Sequence, residues 1–96
     1  MSRRGESVFI SKDLVIQNQY GIHARPAALF VKAASRYDSD IYVEKDGSRV
    51  SGKSIMGLMT LEASKGSRIK ITIEGPDAAE AMKELEALVE NKFDEE

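Results

Sequence analysis

A chain of 96 residues, 42% hydrophobic and 31% charged with two prolines, can build one domain around its own core and is too short for two. Zero cysteines exclude disulfides, thiolate metal sites and cysteine nucleophiles, and a single histidine excludes a multi-histidine centre, so neither a metal nor a cofactor is expected. Residues 1–75 hold 12 Lys+Arg against 8 Asp+Glu, whereas residues 76–96 hold 2 against 8, so a body of +4 carries a tail of −6 and favours an anionic ligand or an acidic partner.

In chain order, residues 1–8 read as an N-terminal extension, flexible by default, and residues 9–96 as the folded domain. The opening MSRRGES has no apolar run behind its arginines, and no stretch approaches the ~18–20 apolar residues that span a bilayer, so a cytoplasmic protein without membrane contact is expected. The β-branched run VFISKDLVIQN (8–18) predicts a strand, strongest over 14–17. After the break Gln19-Tyr20-Gly21, apolar residues at Ala27, Phe30, Val31, Ala34 and Tyr37 have helical spacing, and Pro26 suits a first turn, so a helix over 23–36 starts close to His23. Residues 41–44 read as a strand, Asp46-Gly47 as a hairpin turn, and 49–51 as the returning strand. Ser54 is a good N-cap for a short helix over 55–61. Residues 68–74 (RIKITIE) alternate without fault and form the clearest strand. Asp77 with Glu80 has capping-box spacing ahead of a last helix whose apolar stripe runs from Ala78 to Val89 and extends to Phe93. The order βαββαβα predicts an α+β fold: an antiparallel sheet with helices laid on one face.

Three constellations carry possible chemistry. In Gly21-Ile22-His23-Ala24-Arg25-Pro26-Ala27 a histidine sits where a helix begins. Unpaired amides and the positive dipole end there disfavour imidazolium, leave a neutral nucleophilic ring, and welcome a phosphoryl anion that Arg25 can neutralise. The competing reading is an uneventful exposed histidine near a cap. Gly47-Ser48-Arg49-Val50-Ser51-Gly52-Lys53-Ser54 satisfies the nucleotide-binding pattern G-x-x-x-x-G-K-[ST], which gives the alternative of a P-loop module. Its middle residues are already committed to a hairpin and strand, which disfavours that alternative. Ser54-Ile55-Met56-Gly57-Leu58-Met59 has more apolar side chains than one buried face of two turns absorbs. Ile55, Met56 and Met59 are therefore candidates for an exposed docking surface beside a hydroxyl, Ser54, that can take a phosphate; the competing reading is a short helix pinned to the core. A nucleic-acid-binding α+β domain would need aromatic stacking residues on the sheet, and none cluster on 68–74, so no nucleic acid is expected.

These motifs, in this order and on these elements, resemble the HPr family, the histidine-containing phosphocarrier proteins of the bacterial phosphotransferase system. The resemblance covers 14–93. It implies an open-faced β-sandwich of a four-stranded antiparallel sheet and three helices, acting as a monomeric phosphocarrier and not as an autonomous enzyme. Carried over by residue, His23 is implied to be phosphorylated at Nδ1, Arg25 to stabilise the phosphoryl group, and Ser54 to match the serine modified by HPr kinase/phosphorylase in some bacteria. Ile55, Met56 and Met59 match the docking face. The implied partners are enzyme I, charged by phosphoenolpyruvate, and enzyme IIA domains. Tyr20 departs from the smaller polar residue common in sugar-transport members. The ending Asn91-Lys92-Phe93-Asp94-Glu95-Glu96 is similar to that of the nitrogen-related NPr branch, so sugar transport and nitrogen-related regulation both stand.

Overall fold

The computed structural model describes residues 8–95, and within them the elements follow the predicted order. They are β1 (Val8–Val15), α1 (Ala24–Ala34), β2 (Asp40–Lys45), β3 (Ser48–Ser51), α2 (Ile55–Thr60), β4 (Arg68–Gly75), α3 (Ala78–Glu90) and a single turn at Lys92–Asp94. Residues 1–7 of the expected extension lie outside the described residues; Val8 already pairs with Gly75.

The sheet has the order β1-β4-β2-β3, every neighbouring pair antiparallel. β4 is central because its alternation is complete. Ile69, Ile71 and Ile73 point into the core, each worth about 1.5–3 kcal/mol of burial, while Arg68, Lys70 and Glu74 face solvent. Leu14 from β1 and Ile41 and Val43 from β2 join them on the same face. The helices close that face: α1 contributes Ala27, Phe30, Ala33 and Ala34, α2 contributes Leu58, and α3 contributes Ala78, Ala81, Met82, Leu85 and Val89. The other face stays open, with Arg49 stacked 3.9 Å over the Tyr42 ring.

Four expectations are corrected. The first strand is strongest earlier than predicted, pairing with β4 from Val8 to Val15, whereas Ile16 lies beyond the last ladder pair. Ile16 still exchanges backbone bonds with the turn at Gly66 and Ser67, but that turn leads its partner strand away. α1 ends at Ala34, and the periodicity that ran on to Tyr37 is carried by tighter turns, Arg36 N–H to Ala33 and Tyr37 N–H to Ala34. Asp77 is the N-cap of α3 yet makes no capping bond. Its carboxylate instead accepts from Asp38 N–H (2.9 Å), Ser39 N–H (3.0 Å) and Ser39 Oγ (2.5 Å). Phe93 is fully buried, but not as part of α3: Lys92, Phe93 and Asp94 all have left-handed φ between 53° and 59°. Each such non-glycine residue costs about 1–2 kcal/mol, a cost set against the buried Phe93 ring.

Candidate functional site

The site begins with the bend that precedes α1. Gly21 takes φ +70°, and a Cβ there would fall on the Ala63 carbonyl oxygen and 2.7 Å from Ser64 Cα. Only a glycine lets the chain come this close, and Ile22 N–H then donates to that Ala63 carbonyl at 2.8 Å. His23 follows as the N-cap of α1 in an extended conformation, with no capping bond from its side chain. Its ring is left half-exposed at the end where the helix amides have no intrahelical acceptors. Pro26 in the first turn is buried and Arg25, two residues after His23, is exposed. Tyr20, 76% exposed, meets the His23 ring edge to face with centroids 6.2 Å apart.

The far end of the chain reaches the same place. His23 Nε2 lies 2.9 Å from Glu95 Oε2, and Glu95 Oε1 accepts from Asn18 Nδ2 at 2.9 Å. The same Asn18 amide donates to Gly21 O at 2.7 Å. The Asn18 donation foremost, then the His23 bond and the nearby Arg25 cation, hold the Glu95 carboxyl below its ordinary value against the opposing cost of burial. Neither Asn18 nor Glu95 was singled out in the sequence. For Asn18 a signal existed, because Leu14, Ile16 and Asn18 share one parity and the first two face the core; for Glu95, one acid in an acidic tail, there was none.

The second motif lies on α2, which packs against α1. Ser54 Oγ accepts from Gly57 N–H at 2.9 Å, the expected N-cap, and Leu58 fills the core. Met56 is 78% exposed, and Ile55 and Met59 are each 41% exposed, so an apolar surface faces outward beside the capping hydroxyl. The residues of the nucleotide-binding pattern do not form a loop. Asp46 and Gly47 make the hairpin turn with φ 51° and 85°, residues 48–51 are β3, and Lys53 Nζ is spent on the Tyr37 carbonyl at 2.8 Å. Among the described residues no group of three or more His, Cys, Asp or Glu could hold a metal, and no helix is long and apolar enough to cross a membrane.

A family model described as the PTS HPr component phosphorylation site matches residues 10–91. The chain is 48% identical over 87 residues to the phosphocarrier protein HPr of Treponema pallidum (strain Nichols), covering 91% of this chain and 99% of that one. Among solved structures it is similar to HPr-C-His from Thermoanaerobacter tengcongensis, with a TM-score of 0.87, 50% identity and coverage of 91% and 98%. It is also similar to an HPr dimer from the same organism, with a TM-score of 0.71, 52% identity and coverage of 83% and 92%. The expected monomer thus has a dimeric relative.

Proposed function

The chain belongs to the HPr family of phosphocarrier proteins of the phosphotransferase system, and from that premise we propose that His23 accepts a phosphoryl group on Nδ1 from enzyme I and passes it to an enzyme IIA domain. The observation that carries this reading is the position of His23: a half-exposed ring at the N-cap of α1, uncommitted to the helix amides and two residues ahead of the exposed Arg25. A carrier has to show its reactive atom to successive partners, and a phosphoimidazole is a reactive donor that a buried ring could not deliver. Arg25 supplies the counter-charge to the phosphoryl oxygens.

The outward surface of Ile55, Met56 and Met59 supports partner docking, since methionines adapt to more than one interface. Ser54, at its rim, is the point where HPr kinase/phosphorylase would act, placing charge next to that surface. The protein works as a monomer in the cytoplasm, in the sugar or the nitrogen-related branch. Identifying which enzyme IIA takes label first decides the branch, and sedimentation of the free chain decides the monomer. The central test is incubation with enzyme I and radiolabelled phosphoenolpyruvate. Acid-labile, base-stable label that is abolished in His23→Ala is expected; label that persists in that variant refutes the assignment.

A further inference from the structure

We propose that Asn18 and Glu95 form a positioning clamp on the His23 ring, keeping the ring proton on Nε2 so that the Nδ1 lone pair is the one presented to the phosphoryl donor. The inference rests on His23 being the acceptor, as read above, and adds how its reactive nitrogen is selected.

The donor and acceptor rules leave little freedom. The Asn18 side chain lies within bonding distance of two oxygens, Gly21 O and Glu95 Oε1, both of which only accept. Its NH2 must therefore face them, since exchanging Oδ1 and Nδ2 would set oxygen against oxygen. Glu95, held ionised by that donation, can only accept, so Nε2 must donate to it. A neutral imidazole with its proton on Nε2 has its lone pair on Nδ1.

Asn18 is also expensive for the fold. It is completely buried, and its Oδ1 has no hydrogen-bond partner among the described residues. Such an atom costs about 1–3 kcal/mol, which an apolar residue at this core-facing position would avoid. What the amide does hold is Glu95 and the Gly21 carbonyl. Glu95 is delivered to the ring by the left-handed run at residues 92–94, with the Phe93 ring as its anchor in the core.

In the transfer, the Nδ1 lone pair forms the new P–N bond while the bond from phosphorus to the donor breaks and its electron pair stays with the donor. The Nε2 proton does not move. The positive charge gained by the His23 ring faces the Glu95 carboxylate, and onward transfer returns the electron pair to Nδ1. Glu95 is thus a positioning residue: it touches the ring and not the phosphorus.

The test uses the full chain labelled with 15N-histidine, at alkaline pH where an imidazole is neutral. In the parent, Nδ1 should show the shift of an unprotonated nitrogen and Nε2 that of a protonated one. In Glu95→Ala both should move toward intermediate values as the ring exchanges tautomers. With phosphorylated enzyme I as donor, kcat for acceptance should fall about tenfold in Glu95→Ala with KM unchanged, a loss typical of removing an orienting partner. Asn18→Ala should fall in the same direction, and the double variant should be no slower than Glu95→Ala. Glu95→Gln is a same-size control for folding. It sets an NH2 against either Asn18 or Nε2 and should also be slowed. Unchanged nitrogen shifts and rates in Glu95→Ala would overturn the clamp. If the parent itself took up no label, the phosphocarrier reading would fail while the nitrogen shifts still decided the clamp.

Discussion

Gly21 shows how one residue's freedom places the His23 ring. Its left-handed φ is costly for a residue with a Cβ, and its contact with the backbone of residues 63–64 leaves such a residue no room. Gly21→Ala should therefore lower stability by about 2–3 kcal/mol, measured by urea unfolding, and should slow phosphoryl acceptance because His23 is two residues away. Native stability in that variant would mean that the bend tolerates a side chain. In the sequence, Gly21 was legible as a break and His23 as a helix start, since both are local signals. That the break packs on Ala63, some forty residues later, was not legible, because close backbone approach leaves no mark on the residue being approached. The same holds for Glu95, whose partner His23 lies 72 positions away.

Among the elements, α2 separates capping from charge. Ser54→Ala removes the oxygen that accepts from Gly57 N–H and should cost about 1 kcal/mol. Ser54→Asp keeps an N-cap acceptor and suits the positive helix end, so stability should hold, while acceptance from enzyme I should slow because charge now borders Ile55 and Met56. Equal rates for Ser54→Asp and parent would break that coupling. Elements with complete periodic patterns, β4 and α3, were readable from the sequence to within a residue or two. β1 was harder, because Lys12 sits on the core-facing parity and interrupts the pattern. The structure resolves this at the sheet edge, where Lys12 Nζ reaches out to Glu86 on α3 at 2.7 Å, a charged side chain of the kind that blunts edge pairing.

For the molecule as a whole, the Asp77 carboxylate ties the α1–β2 connection to the start of α3, and this tie contributes to how stability responds to acid. The Ser39 hydroxyl first, then the Asp38 amide, lower the Asp77 pKa. A lowered folded-state value means that Asp77 contributes stability above the ordinary aspartate range and loses it as pH falls through the lowered value. The stability gap between parent and Asp77→Asn should be full at neutral pH and close in strong acid, as followed by urea unfolding over a pH series. A gap independent of pH would show that the carboxylate charge is not what matters. The overall plan, a four-stranded sheet under three helices, was legible from element order because the turns and breaks separate the elements cleanly. The capping-box reading of Asp77 failed because its carboxylate finds three donors across the chain that local spacing cannot reveal.

The left-handed bend at residues 92–94 has a final consequence. It draws the last described residue onto a ring near the beginning, so the proposed acceptor site is a product of the whole folded chain and not of the short stretch that spells GIHARPA. A synthetic peptide bearing that stretch would present an untethered imidazole and be a poor recipient. Competence to take up phosphorus should melt away together with tertiary structure, as a single cooperative property.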